Sequence, residues 1–350
     1  MYYIIIIFLI VILLILLYYV YTLCIADIDE IIKDIPDVKW PFINLKDEND
    51  KNINMLGIRG PFSSDTNDKK NQELFRKYKR GGIKFIGCSS YLTYPGLCEN
   101  PHGYCHTDNN QLDGINIEDH VLGWCHCFRE PEKYIRGNVP KILISESDFN
   151  SDSNKPDDNI EIEYDFVTYQ PNDEKCELKW NSHNKNWPLA EYCIKILCDE
   201  LNLKGVIIGR DNCPIDIKNK DNLIVTPYIE HHVGIDYIRK SKFLLCPNYE
   251  DASPRTLAES LSLDTPLLVY EDIIGGWKYV TDETGLFFNR ENFKSQVKQL
   301  LHNIDNKKYK PREHYINNYT LKNSGKQLKD FLKSLNPELC DCEYVKFPVS

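Results

Sequence analysis

The sequence predicts an α/β protein of two domains preceded by a single N-terminal transmembrane helix. Three observations predict it. Between Tyr164 and Phe288 short apolar runs alternate with helical stretches, the β-α-β order that gives parallel strands and right-handed crossovers. A polar stretch over 149–160 separates that half from an earlier, shorter α/β stretch and reads as a linker or exposed loop. Residues 2–26 carry no charged side chain. A chain of 350 residues leaves room for two domains of ordinary size.

The first element is the apolar one, 1–26. Ile4 to Leu17 are unbroken Ile, Leu, Val and Phe, and at ~1.5 Å per residue the whole stretch spans a ~30 Å hydrocarbon core. Tyr2, Tyr3, Tyr18, Tyr19 and Tyr21 cluster at its ends, where amphipathic rings prefer the membrane interface. A cleaved signal peptide fits less well, because there is no basic leader, the run is too long and the exit lacks small residues. The reading is an uncleaved single-pass anchor. Its orientation is not readable, since the N-side has no Lys or Arg and the C-side opens with Asp27, Asp29 and Glu30. Residues 27–53, charged and without clear periodicity, read as a stem.

The first folded part, 54–148, carries a helix over Asn71–Arg80 and strands at Ile83–Ile86, Val121–Trp124 and Lys141–Ile144. Arg59-Gly60-Pro61 and Ser89-Ser90-Tyr91 follow apolar strands and either line a cleft or are plain turns. Of thirteen cysteines, Cys88, Cys193, Cys198 and Cys246 fall in apolar runs and read as small free packers. Cys98, His102, Cys105 and His106, with Cys125-His126-Cys127, leave three options open: a structural zinc, a disulfide or ordinary packing. The formal charge of −10, from 42 basic and 52 acidic side chains, argues against nucleic acid, which needs a basic face.

The second part, 161–335, opens with the alternating strand Tyr164–Tyr169. A helix over Leu189–Glu200, strands Gly205–Ile208 and Leu223–Thr226 and a helix near Ile235–Lys240 follow. Phe243–Cys246 reads as a strand buried on both faces. An acidic loop, Glu250-Asp251-Ala252-Ser253, leads into a helix over Pro254–Leu263, begun by proline and stopped before Pro266. Leu267–Tyr270 is the next strand, and Gly275-Gly276 opens a turn whose N–H groups an anion can approach. Ligands of open α/β sheets sit beyond the carboxyl ends of the strands, where Glu250, Asp251 and the glycine pair fall. Residues 290–335 are helical with apolar stripes, and 336–350 read as a tail.

Asp251, seven residues, then Glu259, with Pro254 between them and Pro266 beyond, resembles the nucleotide-sugar site of GT-B glycosyltransferases of the family-4 kind. The resemblance implies two Rossmann-like domains in GT-B arrangement, with 54–148 a shortened acceptor-side domain and 161–335 the donor-nucleotide domain. It implies that Glu259 holds the donor ribose and Asp251 the sugar, with Glu250, Ser253, Gly275 and Gly276 lining the donor pocket. Lys185, ahead of a helix, takes the place of the family's diphosphate-binding lysine, a sensible site because ammonium and free N–H groups act on the same oxygens. The family's preceding arginine is missing between Asp165 and Lys185, and Lys175, Lys179 or Arg210 is the substitute. The family's first carboxylate is Glu where this chain has Asp251, and the small-aromatic pair after it is Ala252-Ser253. A first-domain histidine facing the donor is common there, with His102, His106, His120 and His126 available.

No metal-binding D-x-D pattern sits at a strand end. What the family resemblance implies is a retaining, metal-independent transfer, with no cofactor, from a nucleotide sugar to a glycan, lipid or protein acceptor at a membrane. Two alternatives stand beside it: a transferase-like binding or structural protein without activity, and a zinc-stabilised interaction module.

Overall fold

The computed structural model describes residues 10–20, 35, 37–60, 66–89, 111–112, 115–135, 137–149, 151–157 and 159–348. Residues 10–20 are helical (α1), with every side chain exposed. Among the described residues no helix is long and apolar enough to cross a membrane. The rest of the stretch read as an anchor lies outside the described residues, and the anchor is not shown.

Two six-stranded sheets follow. In the first, β1 (Phe42–Asp47) and β2 (Asn52–Ile58) are antiparallel, and β3 (Lys84–Cys88) continues in parallel from β2. A two-stranded ribbon, β4 (Gln111–Leu112) and β5 (Ile115–Asn116), stands apart, and β6 (Trp124–His126) and β7 (Lys141–Leu143) complete the parallel run. Helix α2 (Thr66–Arg80) crosses from β2 to β3 and buries Phe75 and Tyr78 against Phe42, Phe85 and Trp124.

The second sheet holds β8 (Tyr164–Tyr169), β9 (Gly205–Ile208), β10 (Leu223–Thr226), β11 (Ser241–Cys246), β12 (Leu267–Tyr270) and β13 (Gly285–Phe288). All its pairings are parallel, in the order β10-β9-β8-β11-β12-β13. The order reverses between β8 and β11, and at such a point the loops after the strands diverge and open a crevice. Neighbouring strand residues face opposite layers. Phe166, Phe243, Leu245 and Leu268 pack with α4 (Trp187–Lys195) and α7 (Phe293–Asp305), once α3 (Trp180–Asn184) has led into α4. Val167, Val206, Leu244 and Val269 pack instead with α5 (His231–Arg239) and α6 (Arg255–Ser262). Each such fully buried side chain contributes about 1.5–3 kcal/mol, so this sheet is a stiff platform for its loops.

The chain then returns to its beginning. After α8 (Pro311–Asn318), helix α9 (Leu321–Leu335) packs Leu328 and Leu332 among Ile43, Met55 and Ile86 of the first sheet. β14 (Val345–Lys346) pairs antiparallel with β1. Two expectations are corrected here: 27–53 is not stem throughout, since it contains β1, and 336–350 is not a tail, since it contains β14. Each strand finds its partner only in the other or in β2, so neither reads as a strand alone. The 149–160 stretch is also tied down. Asp152 accepts from Leu321 N–H (3.0 Å), the first residue of α9, and from Tyr315 Oη (2.7 Å).

Cys176 is disulfide-bonded to Cys213 and Cys340 to Cys342, whereas Cys88, Cys125, Cys127, Cys193, Cys198 and Cys246 are free and buried. Cys98, His102, Cys105 and His106 lie outside the described residues, among which no cluster of His, Cys, Asp or Glu could hold a metal.

Candidate donor site between the lobes

Asp173, at the foot of α3, accepts from the N–H groups of Asn181 (2.9 Å) and Ser182 (2.8 Å) and fixes the start of that helix. Burial alone would raise its carboxyl pKa, but the N–H groups outweigh burial and hold it below the usual value. Lys185 ends α3, and Asn186, in the left-handed region at φ 53°, turns the chain into α4. Asn186 Nδ2 donates to the Pro247 carbonyl (3.1 Å), which brings Lys185 beside the loop after β11. There Lys185 makes an ion pair with Asp251, which also accepts from Asn248 Nδ2 (2.9 Å). Burial would lower the Lys185 pKa, and Asp251 reverses this and holds it above the usual lysine range. Glu250 lies 3.3 Å from His183 Nε2.

Glu259 is only 5% exposed although it is a carboxylate in α6. Its Oε1 meets Nε2 of His231 at 2.8 Å, and His231 is the first residue of α5. Burial first and Glu259 second push up the pKa of Tyr169, the last residue of β8. The Lys185–Asp251 pair thus lies in the loop beyond β11, and the Glu259–His231 pair joins α6 to the start of α5, with Glu259 acting on Tyr169 at the end of β8.

Other predicted residues are placed differently. The Gly275 N–H is taken by the Asp251 carbonyl (2.9 Å), and a Cβ on Gly275 would stand 1.8 Å from the Ala252 carbonyl oxygen. Gly276 has φ +76° and lies against Pro254 and Leu257. In this structure the pair lets two loops touch backbone to backbone, and the Gly275 N–H is not aimed at an anion. Arg210 is 2% exposed, stacked 3.5 Å from the centre of the Trp187 ring and hydrogen-bonded to Ser182 Oγ (3.4 Å). It braces the α3–α4 junction from beneath. Lys175 lies in the same loop as the Cys176–Cys213 disulfide, and Lys179 pairs with Glu177. Ser253 is engaged by the first lobe, through Ser147 Oγ at 2.7 Å.

That contact belongs to a seam that spacing along the chain gives no sign of. Asp148, 1% exposed, forms an ion pair with Lys278 and accepts from Tyr279 Oη (2.6 Å). Trp277 Nε1 donates to the Cys127 carbonyl (2.9 Å). Arg59, after β2, pairs with Glu146 at 3.0 Å, while Ser89 Oγ accepts from the buried Trp124 indole. Pro61, Ser90 and Tyr91 lie outside the described residues. Of the candidate histidines, His120 bonds Lys79 on α2, and His126 ends β6 in a buried position. Burial, then the Lys278 charge, push the His126 pKa down to about 4. The Cys127 and Cys246 thiols flank the Asp251 loop, and burial pushes both up to about 12, so neither is a thiolate nucleophile at neutral pH.

The second sheet, six parallel strands that reverse direction of winding after the third, has the Rossmann order. By sequence, no family model matches the chain and no curated protein does. By structure, it is similar to a variant of TarM from S. aureus in complex with UDP, fondaparinux and α-GlcNAc-glycerol, with TM-score 0.56 and 14% identity. It is similar as well to the pneumococcal O-GlcNAc transferase GtfA in complex with UDP and GlcNAc (0.55, 11%) and to sucrose-phosphate synthase from Thermosynechococcus elongatus (0.54, 11%). The fold is GT-B. Each match covers 76% of this chain. It spans about half of TarM and GtfA (54% of each) and 77% of the synthase.

Proposed function

We propose that this GT-B chain is a glycosyltransferase that moves a sugar from a nucleotide-diphosphate donor to an acceptor hydroxyl. One observation supports the reading: in a sheet of Rossmann order, which binds nucleotides beyond its strand ends, the loop after β11 carries the Lys185–Asp251 ion pair and the helix that follows carries a buried carboxylate, Glu259. On this reading Glu259, steadied by His231, accepts from the ribose hydroxyls. Lys185 exchanges Asp251 for the donor diphosphate, and Asp251 turns to the sugar hydroxyls. The bond from the anomeric carbon to the diphosphate breaks, its electron pair leaving with the phosphate. The acceptor oxygen bonds the same carbon on the same face, and its proton passes to the departing phosphate oxygen. Stabilising that departing charge, together with orientation, is the main demand on the protein. Lys185 meets it without a metal, so turnover is expected to survive chelation by EDTA.

The TarM and GtfA complexes hold UDP, which makes UDP the first nucleotide to try. Calorimetry with UDP, and hydrolysis of labelled UDP-sugars, test the reading in wild type, Glu259→Ala and Glu313→Ala. Glu259→Ala is expected to weaken UDP at least tenfold, the scale of one lost charge-assisted hydrogen bond. The exposed Glu313 control should change nothing. Equal binding by all three sinks the assignment of the site. A binding protein without chemistry is the second reading, favoured by the hold that Lys185 and Asn248 both have on Asp251; UDP binding without any turnover is its signature.

The proposal includes a tether through residues 2–26, single-pass. Flotation with lipid vesicles should retain the full chain and release a chain that begins at Asp27, and co-flotation of neither removes the tether.

A further inference from the structure

Beside the Asp251 loop a cavity of about 410 Å³ opens between the lobes. That is within the range of small-ligand sites. Phe128, Arg129 and Tyr134 line it from the first lobe, and Tyr249, Glu271 and Asp272 from the second. Its wall is continuous with the donor site. Ile274 N–H donates to the Tyr249 carbonyl (3.0 Å), and Gly275 N–H to that of Asp251 (2.9 Å), so one pair of loops lines both.

The chemistry of this wall selects an occupant. Tyr134 lies stacked on Phe128, ring centres 4.1 Å apart and 12° from parallel, which makes a rigid aromatic shelf. Tyr249 stands on the opposite wall, 42% exposed despite its size. Aromatic faces carry negative charge density and suit the weakly positive C–H face of a sugar ring. The carboxylates are held by neutral donors, Glu271 by Asn289 Nδ2 (3.0 Å) and Asp272 by Tyr270 Oη (2.8 Å). They keep acceptor capacity for hydroxyls. Two cations and a third carboxylate also line the cavity, Arg129 lying over the Trp277 and Phe287 rings and Lys133 paired with Glu130. With Lys133 offset by Glu130, Arg129 alone faces Glu271 and Asp272, so the lining carries an excess of carboxylates that disfavours an anionic ligand.

We propose that this cavity is a subsite for a neutral saccharide, gripped between the Tyr134 shelf and Tyr249 with its hydroxyls on Glu271 and Asp272. Calling that saccharide the acceptor rests on the transferase reading; its binding does not. Saturation-transfer NMR on the full chain with a panel of methyl glycosides of glucose, galactose, mannose and N-acetylglucosamine tests it, with glycerol 3-phosphate as the anionic arm. At least one glycoside should bind, and Tyr249→Ala and Tyr134→Ala should each weaken it at least tenfold, while an unchanged circular-dichroism spectrum and melting temperature show that the variants fold. No binding by any glycoside, binding by glycerol 3-phosphate alone, or glycoside binding indifferent to both substitutions overturns the proposal. Glycoside binding without UDP binding keeps this subsite and removes the transferase reading.

Discussion

His126 is a neutral imidazole held in the interior, and its burial has a pH signature. In the unfolded chain its pKa is about 6.5, whereas in the fold burial and Lys278 push it down to about 4. Between those values the unfolded chain binds the extra proton, so this contribution to stability is complete above pH 6.5 and is lost as the pH falls toward 4. At pH 5 the loss is about 2 kcal/mol. Urea unfolding at pH 7 and pH 5 should show wild type losing about that much more than His126→Gln; equal slopes would mean the ring is already solvated. Spacing alone does not set Lys185, Asp251 and Glu259 apart from other loop and helix charges, and two of them, Lys185 and Asp251, form an ion pair across 66 positions. All three were legible in sequence through their resemblance to a donor-site motif. His231 was not, since its value comes from touching Glu259 across 28 positions. Asp148, Lys278 and Tyr279 were not legible either, because they meet at separations of 130 and 131 residues.

The glycine pair shows how one element shapes another. Gly275 lies against the Asp251–Ala252 peptide so closely that a methyl group would sit 1.8 Å from a carbonyl oxygen. Backbone, not a flexible side chain, stands in the way. Gly275→Ala should therefore cost about 3 kcal/mol and displace the Asp251 loop, seen as a lower melting temperature together with weakened UDP binding. An unchanged melting temperature would show that the loops separate freely. Strands β8, β9, β10 and β12 were legible to the residue, because short runs rich in β-branched, aliphatic and aromatic residues between polar or turn-forming stretches read as strands, whether alternating as in β8 or wholly apolar as in β9. β1 and β14 were not, since the first mixes Asn44, Lys46 and Asp47 with its apolar side and the second is two residues long. Their partner is remote, and no window of sequence contains both.

At the scale of the molecule the lobes are locked by a buried charge pair. Asp148 and Lys278, with side chains 1% and 10% exposed, join a loop after β7 to the turn after the glycine pair. Removing one partner leaves the other desolvated and alone, which costs about 3–5 kcal/mol. Asp148→Ala should split calorimetric unfolding into two transitions, one per lobe, because this network couples them. A single transition moved intact to lower temperature would place the coupling in α9 instead.

The pairing of β14 with β1 has a consequence for biosynthesis. A ribosome finishes β1 almost three hundred codons before it reaches the strand that covers it, since Asp47 pairs with Val345. Until then the amino-terminal lobe has a bare edge able to recruit a strand from a neighbouring nascent chain. The second lobe, whose strands all come from one continuous stretch, has no such wait. It should be the first half to resist protease during translation.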